Sequence, residues 1–148
     1  MKPLILTLLL LATGTIASAQ HAFNQRLADS LGADQYGMKK YVLVMLKTGK
    51  TKVSKVRGDS LFQGHMANID KLAAAGQLVA AGPLAKNTRR YEGIFILNVK
   101  TTDEAIKLLK TDPAIRAGLL ETECYSWYGS AALPLYLKFH DQVKKTDF

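Results

Sequence analysis

The chain has 148 residues, of which 48% are hydrophobic and 22% charged. That is the balance of one globular domain rather than of a disordered segment or a protein that crosses a membrane many times. A single cysteine, Cys124, excludes an intrachain disulfide and any zinc site built on cysteine pairs, and three scattered histidines leave little for a protein-built metal centre. The formal charge of +8 favours solubility and weak attraction of anions, and by itself assigns no nucleic-acid partner.

Residues 1–19 have the order of a signal peptide: Lys2, then an apolar run over 4–12, then Ala17, Ser18 and Ala19 ahead of the cut. Cleavage after Ala19 and export to a periplasmic or secreted location are expected. The apolar run is short for a bilayer span and is broken by Thr13, Gly14 and Thr15, so no stable membrane anchor is expected after cleavage. In an oxidising compartment the lone thiol of Cys124 is expected to be buried.

Residues 20–39 are polar and small, with Gly32 and Gly37, and read as an extension or linker with one short helix. A domain over 40–129 follows. Residues 41–46 form an apolar strand, and the polar stretch 47–58 reads as a loop. Ser60 and Gln63 suggest a capping box for a helix whose apolar positions Leu61, Phe62, Met66, Ile69, Leu72 and Ala73 recur at helical spacing up to Gly76. A strand over 78–81 ends at Gly82-Pro83, and a longer one over 90–99 sets Tyr91, Gly93, Phe95 and Leu97 on one side. Thr101 and Glu104 open a second helix, which Asp112-Pro113 stops. Residues 119–127 supply the last strand, and the tail over 130–148 packs loosely or covers an edge.

The order βαββαβ suits an α+β, ferredoxin-like sandwich with both helices on one face of the sheet. The other face stays apolar and uncovered, which predicts a homodimer. This topology gathers His65, Gly82, Pro83, Arg89, Arg90 and Asp112 at one end of the sandwich. A His held by a carboxylate is an acid-base pair, because imidazole titrates near neutrality and the carboxylate fixes its tautomer. Local patterns also allow plainer roles. His65 lies on the apolar stripe, as a hydrogen-bonded core His would, and Asp112-Pro113 is an N-cap with a proline at the first helical position. One Asp can serve both purposes, capping with one oxygen and holding a His with the other.

Other signals are weaker. Gly49-Lys50-Thr51 imitates the end of a phosphate-binding loop, but Val44 stands where the first glycine is required. Lys47, Lys50, Lys52, Lys55 and Arg57 lack interleaved aromatics and read as a solvated segment, so no nucleic-acid partner is expected. His21 and His140 lie in the ends of the chain. Cys124 sits beside Tyr125 and Trp127 on a strand, as a core residue would.

Gly64-His65 on the first helix, Gly76-Gln77-Leu78 leading to Ala81-Gly82-Pro83-Leu84, Asp103-Glu104-Ala105, and Asp112-Pro113 with Ala117-Gly118 together resemble the YCII-related (YciI-like) family. The resemblance covers residues 40–127. It implies a dimeric α+β barrel, in which two ferredoxin-like sheets pack face to face, and a His-Asp pair, here His65 and Asp112, as the active site. It further implies proton transfer on small oxygenated or aromatic compounds, as in lyases, dehydrohalogenases and lactone isomerases. No metal and no organic cofactor is expected. Lys86, Arg89 and Arg90, with Gly82 and Pro83, are the candidate contacts of an anionic or aromatic substrate. The alternative is a dimeric, non-catalytic binding or structural module, in which the pair is only a buried link. The export signal, the basic stretch after the first strand and the tail depart from the family pattern, which leaves substrate and pathway open.

Overall fold

The structure is a computed structural model that describes residues 22–146. The signal peptide expected over 1–19 lies outside them. In chain order the elements are α1 (Gln25–Leu31), β1 (Met38–Thr48), α2 (Lys55–Ala74), β2 (Leu78–Pro83), β3 (Tyr91–Leu97), α3 (Thr102–Leu109), α4 (Pro113–Arg116), β4 (Leu120–Ser130), a 3-10 turn (Leu133–Tyr136) and α5 (Leu137–Val143). The four strands form one sheet in the order β2-β3-β1-β4, antiparallel at every junction. This is the α+β, ferredoxin-like arrangement that the order of elements predicts.

Alternation along β1 divides the sheet into two faces. Val42, Val44 and Leu46 meet Leu72 of α2 and Ala105 and Leu109 of α3, with Leu78, Phe95 and Leu97 from the neighbouring strands. All of these are buried, and they form the core between sheet and helices. Cys124 packs against the same cluster; burial pushes its thiol pKa up, which lowers its nucleophilic character at neutral pH. Among the described residues no helix is long and apolar enough to cross a membrane.

The first long helix starts earlier than its apolar rhythm suggests. Ser54 is the N-cap, its side chain accepting from the Arg57 amide, and a Lys55–Asp59 ion pair at 2.8 Å spans the first turn. Ser60, the expected cap, lies inside the helix. These first turns are largely solvent-exposed, so no hydrophobic periodicity marks them and polar composition reads as loop. The second cap is as expected: Thr101 and Glu104 form a reciprocal capping box.

The face away from the helices carries Leu43 and Met45 of β1, paired with Ile96 and Ile94 of β3 and with Tyr125 and Glu123 of β4. Tyr125 is 50% exposed and Trp127 36%. One end of this face is closed: Tyr41 is fully buried, packed against Trp127 at 5.6 Å between ring centroids, and its hydroxyl donates to the Ser130 carbonyl at 2.9 Å. From Ser130 the tail runs to the opposite edge, where the Tyr136 hydroxyl donates to the Val79 carbonyl of β2. The tail thus reaches an edge strand.

A register shift at Leu46/Lys47 corrects one expectation. It pairs Tyr91 with Lys47 instead of continuing the side shared by Gly93, Phe95 and Leu97, and the Tyr91 hydroxyl donates to Glu123 across the strands at 2.8 Å. This bond, with a second from Tyr125, holds the Glu123 carboxyl below the ordinary carboxylate range. A carboxyl depressed on folding contributes stability above its ordinary range and loses it as pH falls through the lowered value. Tyr91→Phe is therefore expected to move the Glu123 titration upward in an NMR pH series and to shrink that acid-side loss; an unchanged midpoint would show that the bond does not form in solution.

Candidate active site

His65 and Asp112 lie 47 positions apart in sequence and meet in space. His65 Nδ1 stands 2.6 Å from Asp112 Oδ2. Three local features bring them together. His65 is on the inward face of α2, its ring stacked on Phe95 of β3 with centroids 5.7 Å apart and an interplanar angle of 19°. Asp112 follows the last turn of α3 and caps α4, its Oδ1 accepting from the amides of Ala114 at 2.8 Å and Ile115 at 3.3 Å. Gly64, just before His65, lets α2 approach α4: a Cβ there would lie 2.9 Å from Pro113 Cγ.

The carboxylate is thus divided, Oδ1 to the cap and Oδ2 to the imidazole. Asp112 is fully enclosed and His65 is 7% exposed. A carboxylate only accepts hydrogen bonds, so the hydrogen shared with His65 sits on Nδ1 and the neutral ring presents Nε2 as an acceptor. Among the described residues Nε2 has no protein partner, and it is not one of the enclosed unpaired polar atoms; the residual surface of His65 therefore includes the nitrogen that could act as a base. Phe62, one turn earlier on α2, is 59% exposed and flanks the imidazole with ring centroids 6.1 Å apart. It is not the core residue its position on the stripe predicts. It gives the approach to His65 an apolar wall.

Gly82 and Pro83 lie on β2 just beyond Ala81, the partner of Phe95, and hence near the floor beneath His65. The Gly82 carbonyl lies against Gly93, where a Cβ would come within 2.7 Å, so the missing side chain of Gly93 lets β2 and β3 approach here. Lys86, Arg89 and Arg90 lie in the exposed connection between those strands. Asn87 shapes it, its Oδ1 accepting from the amides of Arg89 and Tyr91 and its Nδ2 donating to the carbonyls of Ala85 and Tyr91. Arg90 takes a positive φ of 60°, and its carbonyl accepts from the Thr48 amide at 3.0 Å. Lys86, Arg89 and Tyr91 border an open hollow of about 520 Å³ to which His65 and Asp112 do not contribute. No hydrogen bond or ion pair joins the three cations to the pair. Among the described residues no group of three or more His, Cys, Asp or Glu could hold a metal ion.

Sequence reasoning passes over Phe62, Gly64, Asn68 and Thr111 as parts of this neighbourhood. Their signal is spacing: Phe62 and Asn68 stand three residues either side of His65 on one helix face, and Thr111 precedes Asp112. The close approach at Gly64 has a direct consequence. Gly64→Ala is expected to push α4 away, lower the melting temperature and remove the low-field Nδ1–H resonance of His65, whereas adding Pro113→Ala, which deletes the opposing Cγ, restores the resonance at least in part. A Gly64→Ala protein that keeps the resonance would place the tolerance elsewhere.

Among solved structures, the chain is similar to 5-chloro-2-hydroxyhydroquinone dehydrochlorinase (TftG) from Burkholderia phenoliruptrix AC1100 in complex with 2,5-dihydroxybenzoquinone, at 20% identity and a TM-score of 0.43, over 58% of this chain and 92% of that one. No curated protein matches the chain. The model of the YCII-related domain matches residues 40–127, a span that runs from β1 through β4 and contains both His65 and Asp112. The chain belongs to the YCII-related domain family.

Proposed function

We propose that this chain is a small-molecule lyase or isomerase that works by proton transfer, without metal or organic cofactor, with His65 as general base and Asp112 as the residue that positions it. The observation that carries this reading is the enclosed 2.6 Å contact on Nδ1, with the opposite nitrogen unpartnered among the described residues. In such a step Nε2 takes a proton from carbon or oxygen of the substrate, and the positive charge that develops on the ring faces the Asp112 carboxylate. The proton then returns to a different atom of the product, or leaves with a departing group. Phe62 supports an aromatic or otherwise apolar substrate. Lys86, Arg89 and Arg90 support attraction of an anionic one at longer range.

The test is a panel of small oxygenated compounds, including 2,5-dihydroxybenzoquinone, chlorinated hydroquinones and unsaturated lactones, followed by NMR in deuterated buffer. Turnover or deuterium uptake is expected to fall about 10²–10⁴-fold in His65→Gln and comparably in Asp112→Asn, with the double variant no worse than either single one. Unchanged rates in both variants would remove the pair from the mechanism. The enclosure of both side chains favours a second reading, a non-catalytic module in which the pair is a structural link. That reading expects His65→Ala to lose more than about 2 kcal/mol of stability and no compound of the panel to raise the melting temperature.

Two further parts belong to the proposal. The apolar sheet face with Leu43, Met45, Ile94, Ile96 and Trp127 supports a homodimer packed face to face, and the order of residues 1–19 supports export to a periplasmic or secreted location. The mature protein is expected to begin at Gln20 by mass spectrometry and to sediment as two chains. Retention of residues 1–19 would overturn the export reading, and a single-chain species at micromolar concentration the dimer.

A further inference from the structure

One buried group beside the pair has no role in the mechanism above. Asn68 follows His65 by three residues on α2, is 7% exposed, and is bonded to Thr111, the residue before Asp112, through an Oγ1–Oδ1 contact of 2.9 Å. Among the described residues its enclosed amide nitrogen has no partner. The Thr111 hydroxyl has one hydrogen and a second acceptor within reach, the Leu108 carbonyl at 2.7 Å. If the hydrogen goes to the shorter contact, the amide must meet Thr111 with its NH2 and leave its carbonyl oxygen over; in the opposite orientation the NH2 is left over. Either way one end of a buried amide is unpaired, which is unfavourable for folding. An apolar side chain of the same volume would suit packing better, so packing is not what the amide supplies.

We propose that Asn68 is a positioning residue of the His65–Asp112 site. Its grip on Thr111 holds the turn that follows α3, in which the next residue is Asp112, and so sets the carboxylate against His65 Nδ1. The contacts 65 to 112 and 68 to 111 are successive rungs between the same two parts of the chain, one at Asp112 itself and one at the residue before it. The inference rests on the reading of the pair as a working site, but its test does not use turnover.

The experiment follows the His65 Nδ1–H resonance and its solvent exchange by NMR in the ligand-free mature protein, with melting temperatures in parallel. Asn68→Leu is expected to melt at or above the parent temperature while the resonance moves upfield and exchanges at least about tenfold faster. Thr111→Val gives the same change, Thr111→Ser keeps the parental signal, and the double variant Asn68→Leu/Thr111→Val changes it no more than either single one. Thr111 is exposed, so its variants fold and test the rung even if Asn68→Leu does not. An unaltered resonance in Thr111→Val overturns the proposal. So does a resonance that moves in Asn68→Leu only in step with a lowered melting temperature, which marks a merely structural residue. Loss of turnover in His65→Gln, or its absence, decides the catalytic reading separately.

Discussion

The division of one carboxylate governs the rest of the site. Asp112 gives one oxygen to the amides that open α4 and the other to His65, and being fully enclosed it has no water to take the place of either partner. A buried charge that loses its partner destabilises by about 3–5 kcal/mol, so the cap, the imidazole and the helix that carries it are tied to one another energetically. The capping role and the proposed chemical role of Asp112 are therefore not rivals. The cap fixes the rotamer, and the fixed rotamer aims the second oxygen.

Everything around that carboxylate serves close approach. Gly64 lacks the Cβ that would crowd Pro113, and Phe95 presents a flat ring on which the imidazole lies. Gly93 does for β2 and β3 what Gly64 does for the helices. His65 consequently has one nitrogen committed to protein and a ring stacked on Phe95, with Phe62 tilted beside it. In the proposed proton transfer, a ring so placed has little reorganisation left to undergo when a proton arrives.

The two faces of the sheet divide the labour. The helix-covered face is a continuous apolar core, and the site is set into its rim. The opposite face mixes apolar strand residues with a polar cluster in which two tyrosines and Lys47 surround Glu123. The tail closes the Tyr41 end of this face through Ser130 and reaches β2 at Val79. What remains open is the part around Met45, Ile94 and Tyr125, a smaller area than a bare four-stranded sheet would offer.

The order of elements, the inward side of β3 at Gly93, Phe95 and Leu97, the capping box at Thr101 and the stop at Asp112-Pro113 are legible in the sequence because each depends on short-range spacing: period two in strands, caps three residues apart, proline at the first helical position. The exposed first turns of α2 are not legible, since a helix held by its cap and one ion pair has no apolar rhythm to read. Tyr91 is misplaced for a similar reason, because a bulge is a property of two strands and not of one. His65 and Asp112 can be named from the sequence as residues of suitable chemistry, and the βαββαβ order brings them to one end of the domain. Their 2.6 Å contact, the glycine that permits it and the unpaired amide of Asn68 beside it belong to the tertiary structure alone, because distances across elements 47 residues apart are set by how closely helices pack and not by anything local in the chain.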